Sequence, residues 1–365
     1  VKYFPSGESK LDELLIQLEQ AKKFIFLEYF IIEEGIMWDS ILDILVEKVN
    51  EGVEVRVMYD GMCSIALLPY YYPKQLEKLG IKAKMFSPIR PALSSSQNNR
   101  DHRKILVIDG HTAFTGGINL ADEYINEHVR FGHWKDTAVM IKGEAVKSFT
   151  LMFLQMWNID EKVIMPCEPY VQKEFVVEAD KKSLGFIIPY GDSPLDQESV
   201  GQTVYMDIIN RAQQYVHITT PYLILDNELS SALKYAAKRG VEVIIIMPHI
   251  PDKKYAYLLA RTYYMELLLV GVQIYEYKPG FMHGKNFVSD GCRGVVGSIN
   301  LDYRSLYHHF ECALYMYKNI AIKEIEADFQ DTLKKCIPIT ISDCKNYNIV
   351  KKIAGRILRL IAPLM

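Results

Sequence analysis

The strongest constraint on the fold of this chain is a motif that occurs twice, in register, within a longer internal repeat. Each copy has a histidine, a lysine two residues later and an aspartate five residues after the lysine: His102, Lys104 and Asp109 in the first copy, and His283, Lys285 and Asp290 in the second. The offset between the copies is the same for all three pairs. One match to so short a motif is a normal accident, but two matches in register within a repeat are not. The chain is therefore composed of two related halves.

The residues around the motifs repeat as well. Residues 18–60 and 209–248 share a pattern in which a helix end is followed by an apolar strand, an amphipathic helix and a second strand. Both contain Gly-Val-Glu-Val where the helix gives way to the strand, beginning at Gly52 and Gly240. Glycine suits this place because the residue after a helix often adopts the left-handed conformation. Strands that alternate with helices in this way predict βαβ crossovers and a mainly parallel sheet.

These patterns predict an α/β fold with two pseudo-twofold related lobes, each a mainly parallel sheet flanked by helices. We expect the first lobe at residues 1–165, the second at 166–345, and a basic amphipathic helix at 346–365. The surface between two related lobes is a natural place for a functional site.

Composition argues against several classes of protein. With 49% hydrophobic and 24% charged residues, the chain of 365 residues has the balance of a folded protein and not of a disordered one. The formal net charge of −3 argues against a general nucleic-acid-binding protein, which is usually basic. No apolar run is long enough for a membrane-spanning helix. The six cysteines show no CxxC pair and no metal-like spacing, which indicates free or buried thiols in a reducing compartment.

The motif residues have the chemistry of a phosphate site. On an extended segment alternate residues share a face, so His102 and Lys104 point the same way, and the second copy repeats this arrangement. The copies also share a carboxamide, Asn119 in FTGGIN and Asn300 in VVGSIN. Two lysines confined in one cleft repel each other unless an anion lies between them. We therefore expect a phosphate oxyanion there, bound by the lysines and by the asparagine amides.

Two histidines can then divide the reaction between them. One attacks phosphorus and forms a phosphohistidine, while the other protonates the leaving alkoxide and later deprotonates the incoming hydroxyl. The lysines neutralise the charge of the transition state, so the scheme needs no metal and no cofactor.

A carboxylate should hold the second ring nitrogen of each histidine, because that contact fixes the tautomer and the orientation of the ring. Each half has a candidate downstream of its asparagine, Asp136 in GHWKDTAV and Glu311 in HHFECAL. The motif aspartates, Asp109 and Asp290, are further candidate catalytic residues. Each is followed by glycine, however, and we favour a structural role in which they bond turn amides.

At these residues the sequence resembles the phospholipase D superfamily, whose signature is this doubled motif. Within the superfamily it is most similar to bacterial cardiolipin synthases, through stretches such as NNRDHRKILVIDGHTAFTGGINLADEYI and GSINLDYRSLYHHFE. The resemblance implies metal-independent transphosphatidylation, in which two phosphatidylglycerols give cardiolipin and glycerol through a phosphohistidine. It also implies that Asp136 and Glu311 orient the two histidines.

The resemblance favours the histidine of the first motif, His102, as the nucleophile, and we expect Asp136 to orient it. His283 is then the acid, with Glu311 as its partner. The chain departs from the family pattern at Asn286, where serine or threonine is usual. Asparagine can still donate and accept hydrogen bonds, so we expect activity to be retained.

The resemblance also implies a location at the bacterial cell membrane, on its cytoplasmic face, with phosphatidylglycerol and the anionic membrane surface as partners. Cardiolipin synthases normally begin with hydrophobic membrane-anchoring segments, and this chain, which opens at Val1, shows none. We expect that an upstream anchor has been removed. The sequence leaves the oligomeric state open.

Three further residues are candidates for contact with the substrate, namely Glu28, Arg103 and Ser298. Glu28 lies inside an otherwise apolar strand, and this has two interpretations. It is either a buried, paired carboxylate with a structural role, or a cleft residue that contacts a lysine or the glycerol hydroxyls of the substrate.

The C-terminal stretch NIVKKIAGRILRLIAPLM, residues 348–365, has the pattern of an amphipathic helix. Its basic arc consists of Lys351, Lys352, Arg356 and Arg359, and its apolar arc of Val350, Ile353, Ile357, Leu358, Leu360 and Ile361. One interpretation is a terminal helix packed on the body of the protein. We favour an interfacial helix on anionic lipid, because the polar face is wholly basic.

Other functions remain open. A phospholipase D-type phosphodiesterase could act on another phospholipid or on nucleic acid. A nucleic-acid substrate would need a basic, aromatic-lined channel, and the acidic balance of the chain disfavours one. A catalytically inactive lipid-binding scaffold is a further alternative, against which the two intact motifs argue. Within the leading interpretation, phosphatidylethanolamine or a lipid with a nucleotide head group could replace one phosphatidylglycerol.

Overall fold

The computed structural model describes residues 1–62, 66–88, 98–159, 161–171 and 185–364. In the first half the elements are β1 (Lys2–Phe4), α1 (Gly7–Glu19), β2 (Phe24–Tyr29), α2 (Ile36–Asn50), β3 (Glu54–Asp60), α3 (Tyr72–Lys78), β4 (Lys82–Phe86), β5 (Arg100–Asp101), β6 (Lys104–Ile108), β7 (Thr112–Gly116), β8 (His133–Lys135), β9 (Ala138–Lys142) and α4 (Val146–Asn158). In the second half they are β10 (Phe186–Asp192), α5 (Val200–Arg211), β11 (Tyr215–Thr219), α6 (Asn227–Lys238), β12 (Glu242–Pro248), α7 (Lys254–Leu268), β13 (Gln273–Tyr277), β14 (Gly280–Met282), β15 (Asn286–Ser289), β16 (Arg293–Gly297), β17 (His309–Tyr317), α8 (Ala321–Leu333), β18 (Cys336–Pro338), α9 (Ile341–Asn346) and α10 (Ile349–Ile361). Within these ranges no helix is both long enough and apolar enough to cross a membrane.

The first sheet has the strand order β1-β9-β7-β6-β2-β3-β4. Strands β2, β3 and β4 run parallel, because α2 and α3 lie between them along the chain and serve as crossovers. The motif strand β6 pairs antiparallel with β2, and β7 and β9 continue the antiparallel pairing. The first sheet is therefore mixed, with the motif strand at its centre.

The second sheet repeats this order as β10-β17-β16-β15-β11-β12-β13, and β18 extends its edge. Strands β11, β12 and β13 are again parallel, and the motif strand β15 is again antiparallel to its neighbour β11. The prediction of an α/β fold with two related lobes is confirmed. Both sheets are mixed because each motif strand forms an antiparallel hairpin with the strand that follows it. The alternation of strands and helices in the sequence did not reveal these hairpins.

The shared Gly-Val-Glu-Val sequence marks an equivalent turn in both lobes. Gly52 follows α2 and Gly240 follows α6, with φ angles of 91° and 89°. A residue with a Cβ would be strained in this left-handed region, so glycine lets the chain leave the helix and enter the next strand.

Asp109 and Asp290 follow the motif strands at equivalent turns, where their φ angles are 53° and 51°. Each carboxylate accepts hydrogen bonds from three successive backbone N–H groups beside the neighbouring strand, those of residues 22–24 for Asp109 and of residues 213–215 for Asp290. These contacts fix the entry of β2 and β11 into their sheets. They engage both carboxylates, which supports the structural role that we favour for Asp109 and Asp290.

A shared hydrophobic core joins the two lobes. Its members come from the sheet of each lobe and from the helices beside them, and they include Phe26, Ile105, Val139, Phe149, Val296, Leu314 and Ile322. Because both sheets contribute to one core, each lobe stabilises the position of the other.

Two short parallel strand pairs also cross between the lobes. Strand β5 pairs with β17 of the other lobe, with Asp101 opposite Phe310. Strand β14 pairs with β8, with Met282 opposite Lys135. A motif histidine and a candidate carboxylate directly follow each pair. His102 follows Asp101 and Glu311 follows Phe310, while His283 follows Met282 and Asp136 follows Lys135.

Candidate active site

The two motif histidines come from different lobes and are both buried, with exposed fractions of 6% for His102 and 8% for His283. The charges of His283 and Lys285 help to lower the pKa of His102, so the two motifs share one site. The backbone N–H of His102 donates to the Phe310 carbonyl at 2.9 Å, and the N–H of His283 donates to the Lys135 carbonyl at 2.7 Å. Phe310 and Lys135 each precede the candidate carboxylate of their own lobe. The crossing strand pairs therefore bring each histidine beside the carboxylate of the other lobe.

Each histidine ring is held by that carboxylate. Nδ1 of His102 lies 2.8 Å from Glu311 Oε1, and Nδ1 of His283 lies 2.5 Å from Asp136 Oδ2. The expectation that Asp136 orients His102 and Glu311 orients His283 is therefore wrong. Order along the chain suggested partners within one half, whereas the crossing strands exchange them. With Nδ1 engaged, Nε2 is the ring nitrogen left for chemistry.

The two carboxylates are supported in different ways. The Ser298 hydroxyl donates to Glu311 Oε2, and Ser298 is fully buried. The structure thus gives Ser298 a contact with Glu311, and contact of Ser298 with the substrate stays a prediction. Gly117 occupies the equivalent place in the first lobe, where an added Cβ would come within 2.1 Å of Asp136 Oδ1. That oxygen instead accepts the backbone N–H of Thr137 at 2.8 Å.

The environment shifts the pKa values of the two carboxylates in opposite directions. Burial tends to raise the pKa of Asp136, but the nearby charges of His283 and Lys285 bring this pKa below its ordinary value. Burial raises the pKa of Glu311 well above its ordinary value, and the attraction of Lys104 offsets this only in part. Asp136 is therefore the more acidic of the two and keeps its negative charge over a wider pH range.

Both motif imidazoles are weak bases in the free protein. Burial and then the charge of Lys104 lower the pKa of His102 well below its ordinary value. Burial and then the charge of Lys285 lower the pKa of His283 to about 4, although Asp136 acts in the opposite direction. Near pH 7 the rings are neutral, so each Nε2 offers a lone pair.

Lys104 and Lys285 are buried beside the histidines. Nζ of Lys104 donates to the His102 carbonyl at 2.6 Å, and Lys285 makes the equivalent bond to the His283 carbonyl. Burial lowers the pKa of Lys104 to about 8, and burial together with repulsion from Lys104 lowers the pKa of Lys285 to about 7. An anion between the two ammonium groups would favour their charged forms, so this geometry suits phosphate.

Sequence analysis missed a third lysine, Lys10, in the same region. Its Nζ lies 3.3 Å from both the Tyr29 hydroxyl and the Ile118 carbonyl, and the residue is 1% exposed. Burial lowers its pKa to about 7, and repulsion from Lys104 acts in the same direction. A signal was available in the sequence, because Lys10 lies four residues before Leu14 on the buried face of α1.

The two asparagines predicted to bind phosphate differ in their contacts. Asn119 accepts the Ile31 N–H at 3.1 Å and donates to the Tyr124 hydroxyl at 2.6 Å. Oδ1 of Asn300 has no hydrogen-bond partner among the described residues, although the side chain is buried. Donation from these amides to a phosphate stays a prediction.

Glu28 and Arg103 lie on the opposite face of the first sheet from Lys104, because Glu28 is opposite Ile105 in register and side chains alternate along each strand. Nη2 of Arg103 lies 2.5 Å from Glu28 Oε1, and its Nε donates to Asp101 Oδ1 at 3.3 Å. Both residues are buried. The structure places them in a buried ion pair, which agrees with the structural interpretation of Glu28, and their contact with the substrate stays a prediction.

Asn286, where the chain departs from the family pattern, links the two lobes. Its Oδ1 accepts a hydrogen bond from Thr137 Oγ1 at 2.8 Å, and its Nδ2 donates to the Tyr3 hydroxyl at 3.2 Å. Thr137 directly follows Asp136, so Asn286 supports the backbone that carries the partner of His283.

Aromatic rings surround the histidines. Ring centroids are 4.7 Å apart for Phe30 and His102, and 5.5 Å apart for Tyr124 and His283. His309, which sequence analysis did not single out, has its ring centroid 5.5 Å from that of His102. In the described ranges, His102, His309 and Glu311 are the one group of histidine, cysteine and acidic residues close enough to hold a metal ion.

Taken together, the arrangement suits the transfer of a phosphoryl group. Two neutral imidazoles, each oriented by a buried carboxylate, allow one ring to attack phosphorus while the other serves the leaving group. The buried lysines provide the positive charge that an oxyanion needs.

Known proteins resemble this chain in sequence. The family model described as "Cardiolipin synthase, PLD-like domain" matches residues 14–157 and 205–333, which contain both motifs and both partner carboxylates. A cardiolipin synthase from Geobacillus sp. (strain WCH70) is 36% identical over 99% of this chain and 71% of its own length. A Streptococcus mutans serotype c protein, described as uncharacterized, is 58% identical over 100% of this chain and 78% of its own length.

Solved structures share the fold. Phosphatidylserine synthase from Haemophilus influenzae Rd KW20 has a TM-score of 0.74 and 15% sequence identity, covering 100% of this chain and 93% of its own. Polyphosphate kinase from Porphyromonas gingivalis has a TM-score of 0.60 and 14% identity, covering 100% of this chain and 53% of its own. At these identities the likeness shows the fold alone, and it agrees with the two-lobed architecture.

The lowered pKa values predict a bell-shaped pH profile of kcat/KM, which reports the free enzyme. On the acidic side the rate falls when the attacking imidazole becomes protonated. On the alkaline side it falls because the imidazole that serves the leaving group loses its proton. It falls further as pH rises through about 7 and about 8, because Lys285 and then Lys104 lose the charge that binds phosphate. Initial rates from pH 4 to pH 10 test this, and a flat profile would contradict it. The variant Lys285→Arg keeps its charge at high pH. Its kcat/KM should therefore fall at a higher pH than that of the original protein, whatever its maximum rate.

Proposed function

The chain belongs to the phospholipase D superfamily and is close to its cardiolipin synthases, and from this we propose that it is a cardiolipin synthase. The family match supports a phospholipid-modifying enzyme of the phospholipase D type. The finer proposal is that the enzyme joins two phosphatidylglycerols into cardiolipin and releases glycerol. The observation that carries it is the pair of motif histidines, each held at Nδ1 by a carboxylate of the other lobe.

In the first half of the reaction we assign His102 as the nucleophile, as the family resemblance favours. Its Nε2 attacks the phosphorus of one phosphatidylglycerol, so that a P–N bond forms and the P–O bond to the glycerol head group breaks. His283, which takes up a proton from the solvent as the anionic substrate binds, gives this proton to the departing oxygen, and free glycerol leaves. The anionic phosphate raises the pKa of His283 above its value in the free protein, and Asp136 acts in the same direction.

In the second half a hydroxyl of another phosphatidylglycerol attacks the phosphohistidine. His283, now neutral, takes the hydroxyl proton, the new O–P bond forms and the P–N bond to His102 breaks. The enzyme returns to the protonation state of the first substrate complex, with His283 protonated and His102 neutral. Two phosphatidylglycerols have become one cardiolipin and one glycerol, and neither a metal nor a cofactor enters the balance.

The direct test is synthesis from phosphatidylglycerol vesicles in excess EDTA. We expect cardiolipin and glycerol in equal amounts at a rate that the chelator does not lower, because Lys104 and Lys285 supply the charge stabilisation. Complete loss with EDTA, restored by a divalent ion, would contradict the mechanism. Phosphatidic acid without cardiolipin would identify a hydrolase, and cleavage of nucleic acid in the same preparation would favour the alternative phosphodiesterase.

The two histidines should respond differently to an activated leaving group. His283→Ala should lose roughly 10²–10⁴-fold on phosphatidylglycerol but keep measurable turnover of a p-nitrophenyl phosphodiester, because nitrophenolate needs little protonation. His102→Ala should lose both activities, because no phosphohistidine can form. Release of nitrophenolate measures this, with His111→Ala as a control for histidine replacement away from the site. The reverse pattern would exchange the two roles, and mass spectrometry of the trapped phosphohistidine locates the nucleophile independently.

The C-terminal helix α10 packs on α7 and, apart from Leu358, which packs against the core, leaves its apolar arc uncovered. A Cβ at Gly355 would lie 2.7 Å from the Leu258 carbonyl oxygen, so glycine permits this close packing. Arg359 of the basic arc donates to Glu266 at 2.8 Å, and its guanidinium lies 4.0 Å from the centroid of the Tyr263 ring. The apolar side chains that face solvent are each at least 46% exposed: Ile349, Val350, Ile353, Ile357, Leu360 and Ile361.

We propose that this uncovered arc inserts into the interface of an anionic bilayer, at the cytoplasmic face of the bacterial cell membrane. An apolar stripe of this length is unfavourable in water, whereas a bilayer interface would bury it. Lys351 and Arg356 are exposed on the same helix and can contact anionic head groups. Phosphatidylglycerol is itself anionic, so the proposed surface also presents the proposed substrate.

Replacing Ile353, Ile357 and Leu360 together by serine should weaken binding to phosphatidylglycerol vesicles and leave the melting temperature unchanged, because the three side chains are already exposed. Vesicle co-sedimentation and thermal unfolding measure the two effects. A matched control replaces Ile36, Val163 and Ile320, which are exposed elsewhere, by serine. Unchanged binding together with a lower melting temperature would favour a helix that only packs on the protein.

A further inference from the structure

His309 is a buried histidine that the proposed reaction does not use. It begins β17, two residues before Glu311, and its side chain is 9% exposed. Neither of its ring nitrogens has a hydrogen-bond partner among the described residues. A buried imidazole without a partner is unfavourable unless something binds it, so His309 marks a position for a ligand.

Three ligand atoms converge at this position. Nδ1 of His309 lies 3.9 Å from Glu311 Oε1, and Nδ1 of His102 lies 2.8 Å from the same oxygen. Suitable ligand atoms of the three residues lie within 4.8 Å of one another. In a tetrahedral zinc site, bonds of about 2.0–2.1 Å place neighbouring ligand atoms roughly 3.3 Å apart. The two measured distances lie on either side of this value, so small rotations of the rings would complete a site.

An acidic pocket lies beside His309. The pocket has a volume of about 220 Å³, and His309 forms part of its wall together with Asp192, Asp196 and Glu198. A pocket lined by carboxylates raises the local concentration of cations. Cations are therefore concentrated in a pocket that His309 itself lines.

We propose that His102, His309 and Glu311 bind a zinc-like transition-metal ion and that this ion inhibits the enzyme. Two imidazoles and one carboxylate are a common ligand set for zinc. Imidazole favours zinc, copper, nickel and cobalt, whereas magnesium and calcium favour oxygen ligands. The inhibition rests on the proposed function, because the ion would engage the ring assigned as the nucleophile. The binding does not rest on it.

Coordination would change the ring that attacks phosphorus. A metal ion bound at Nδ1 of His102 replaces the proton that this nitrogen shares with Glu311, and that proton passes to the solvent. The positive charge of the ion withdraws electron density from Nε2 and makes it a weaker nucleophile. Glu311, now a metal ligand, no longer holds the ring in its former orientation. The ion would thus act as a reversible inhibitor.

Metal binding is measured first, without lipid. The full chain is treated with EDTA, exchanged into metal-free buffer and titrated with Zn²⁺ by calorimetry and with Co²⁺ by visible absorption. The matched variants are His309→Asn, which removes one ligand, and His308→Asn, which changes the adjacent histidine. We expect one Zn²⁺ per chain for the original protein and for His308→Asn, with Co²⁺ bands of nitrogen and oxygen ligands. His309→Asn should bind at least tenfold more weakly. Equal Zn²⁺ affinity in all three, or equally tight binding of Mg²⁺, would overturn the proposal.

Inhibition is measured next, relative to the metal-free rate of each variant. Zn²⁺ should inhibit the original protein and His308→Asn at the concentrations at which it binds, and EDTA should restore the rate. His309→Asn should need at least tenfold more Zn²⁺ for the same inhibition. Equal inhibition of His309→Asn would overturn the inhibitory role. If no variant makes cardiolipin while Zn²⁺ still binds through His309, the proposed function fails and the metal site stands.

Discussion

Two short strand pairs that cross between the lobes determine the geometry of the site. Each pair ends at a motif histidine on one side and at a carboxylate on the other, so the backbone places His102 beside Glu311 and His283 beside Asp136. Because each pair needs strands from both lobes, neither lobe alone can orient its own histidine. The shared core between the sheets holds the lobes in the position that the crossing strands require. Orientation of the histidines is thus a property of the interface.

The same interface concentrates positive charge where water is excluded. Lys104 and Lys285 are buried, and burial is the main reason that their pKa values fall to about 8 and about 7. A site built in this way is electrostatically unfavourable without an anion and becomes favourable with one. The carboxylates of Asp136 and Glu311 attract the two ammonium groups, but this attraction does not offset burial, because both lysine pKa values stay below the ordinary value. The charge distribution therefore favours a phosphodiester over a neutral substrate.

The repeat in the sequence predicted most of the fold, because each motif occurs at the centre of an equivalent sheet. It could not predict which carboxylate orients which histidine. Matching the two halves assumes that each histidine is oriented by a carboxylate of its own half. The crossing strands β5 and β14 contain two and three residues, too few for any periodic pattern. The sequence also did not indicate the contact between Ser298 and Glu311, because the counterpart of Ser298 is Gly117 and only the three-dimensional packing shows that the hydroxyl reaches Glu311. His309 lies outside both motifs, and its spacing from other residues in the sequence does not indicate a ligand.

The exchange of carboxylates between lobes is tested most directly by nitrogen NMR of the histidine side chains. Chemical shifts of ¹⁵N-labelled imidazole report the tautomer and the hydrogen bond at Nδ1, and loss of a signal in His102→Ala or His283→Ala assigns it. Glu311→Gln should shift the His102 signals and leave those of His283 in place, while Asp136→Asn should do the reverse. If Asp136→Asn instead shifts His102 and Glu311→Gln shifts His283, each lobe orients its own histidine and the crossed arrangement is contradicted.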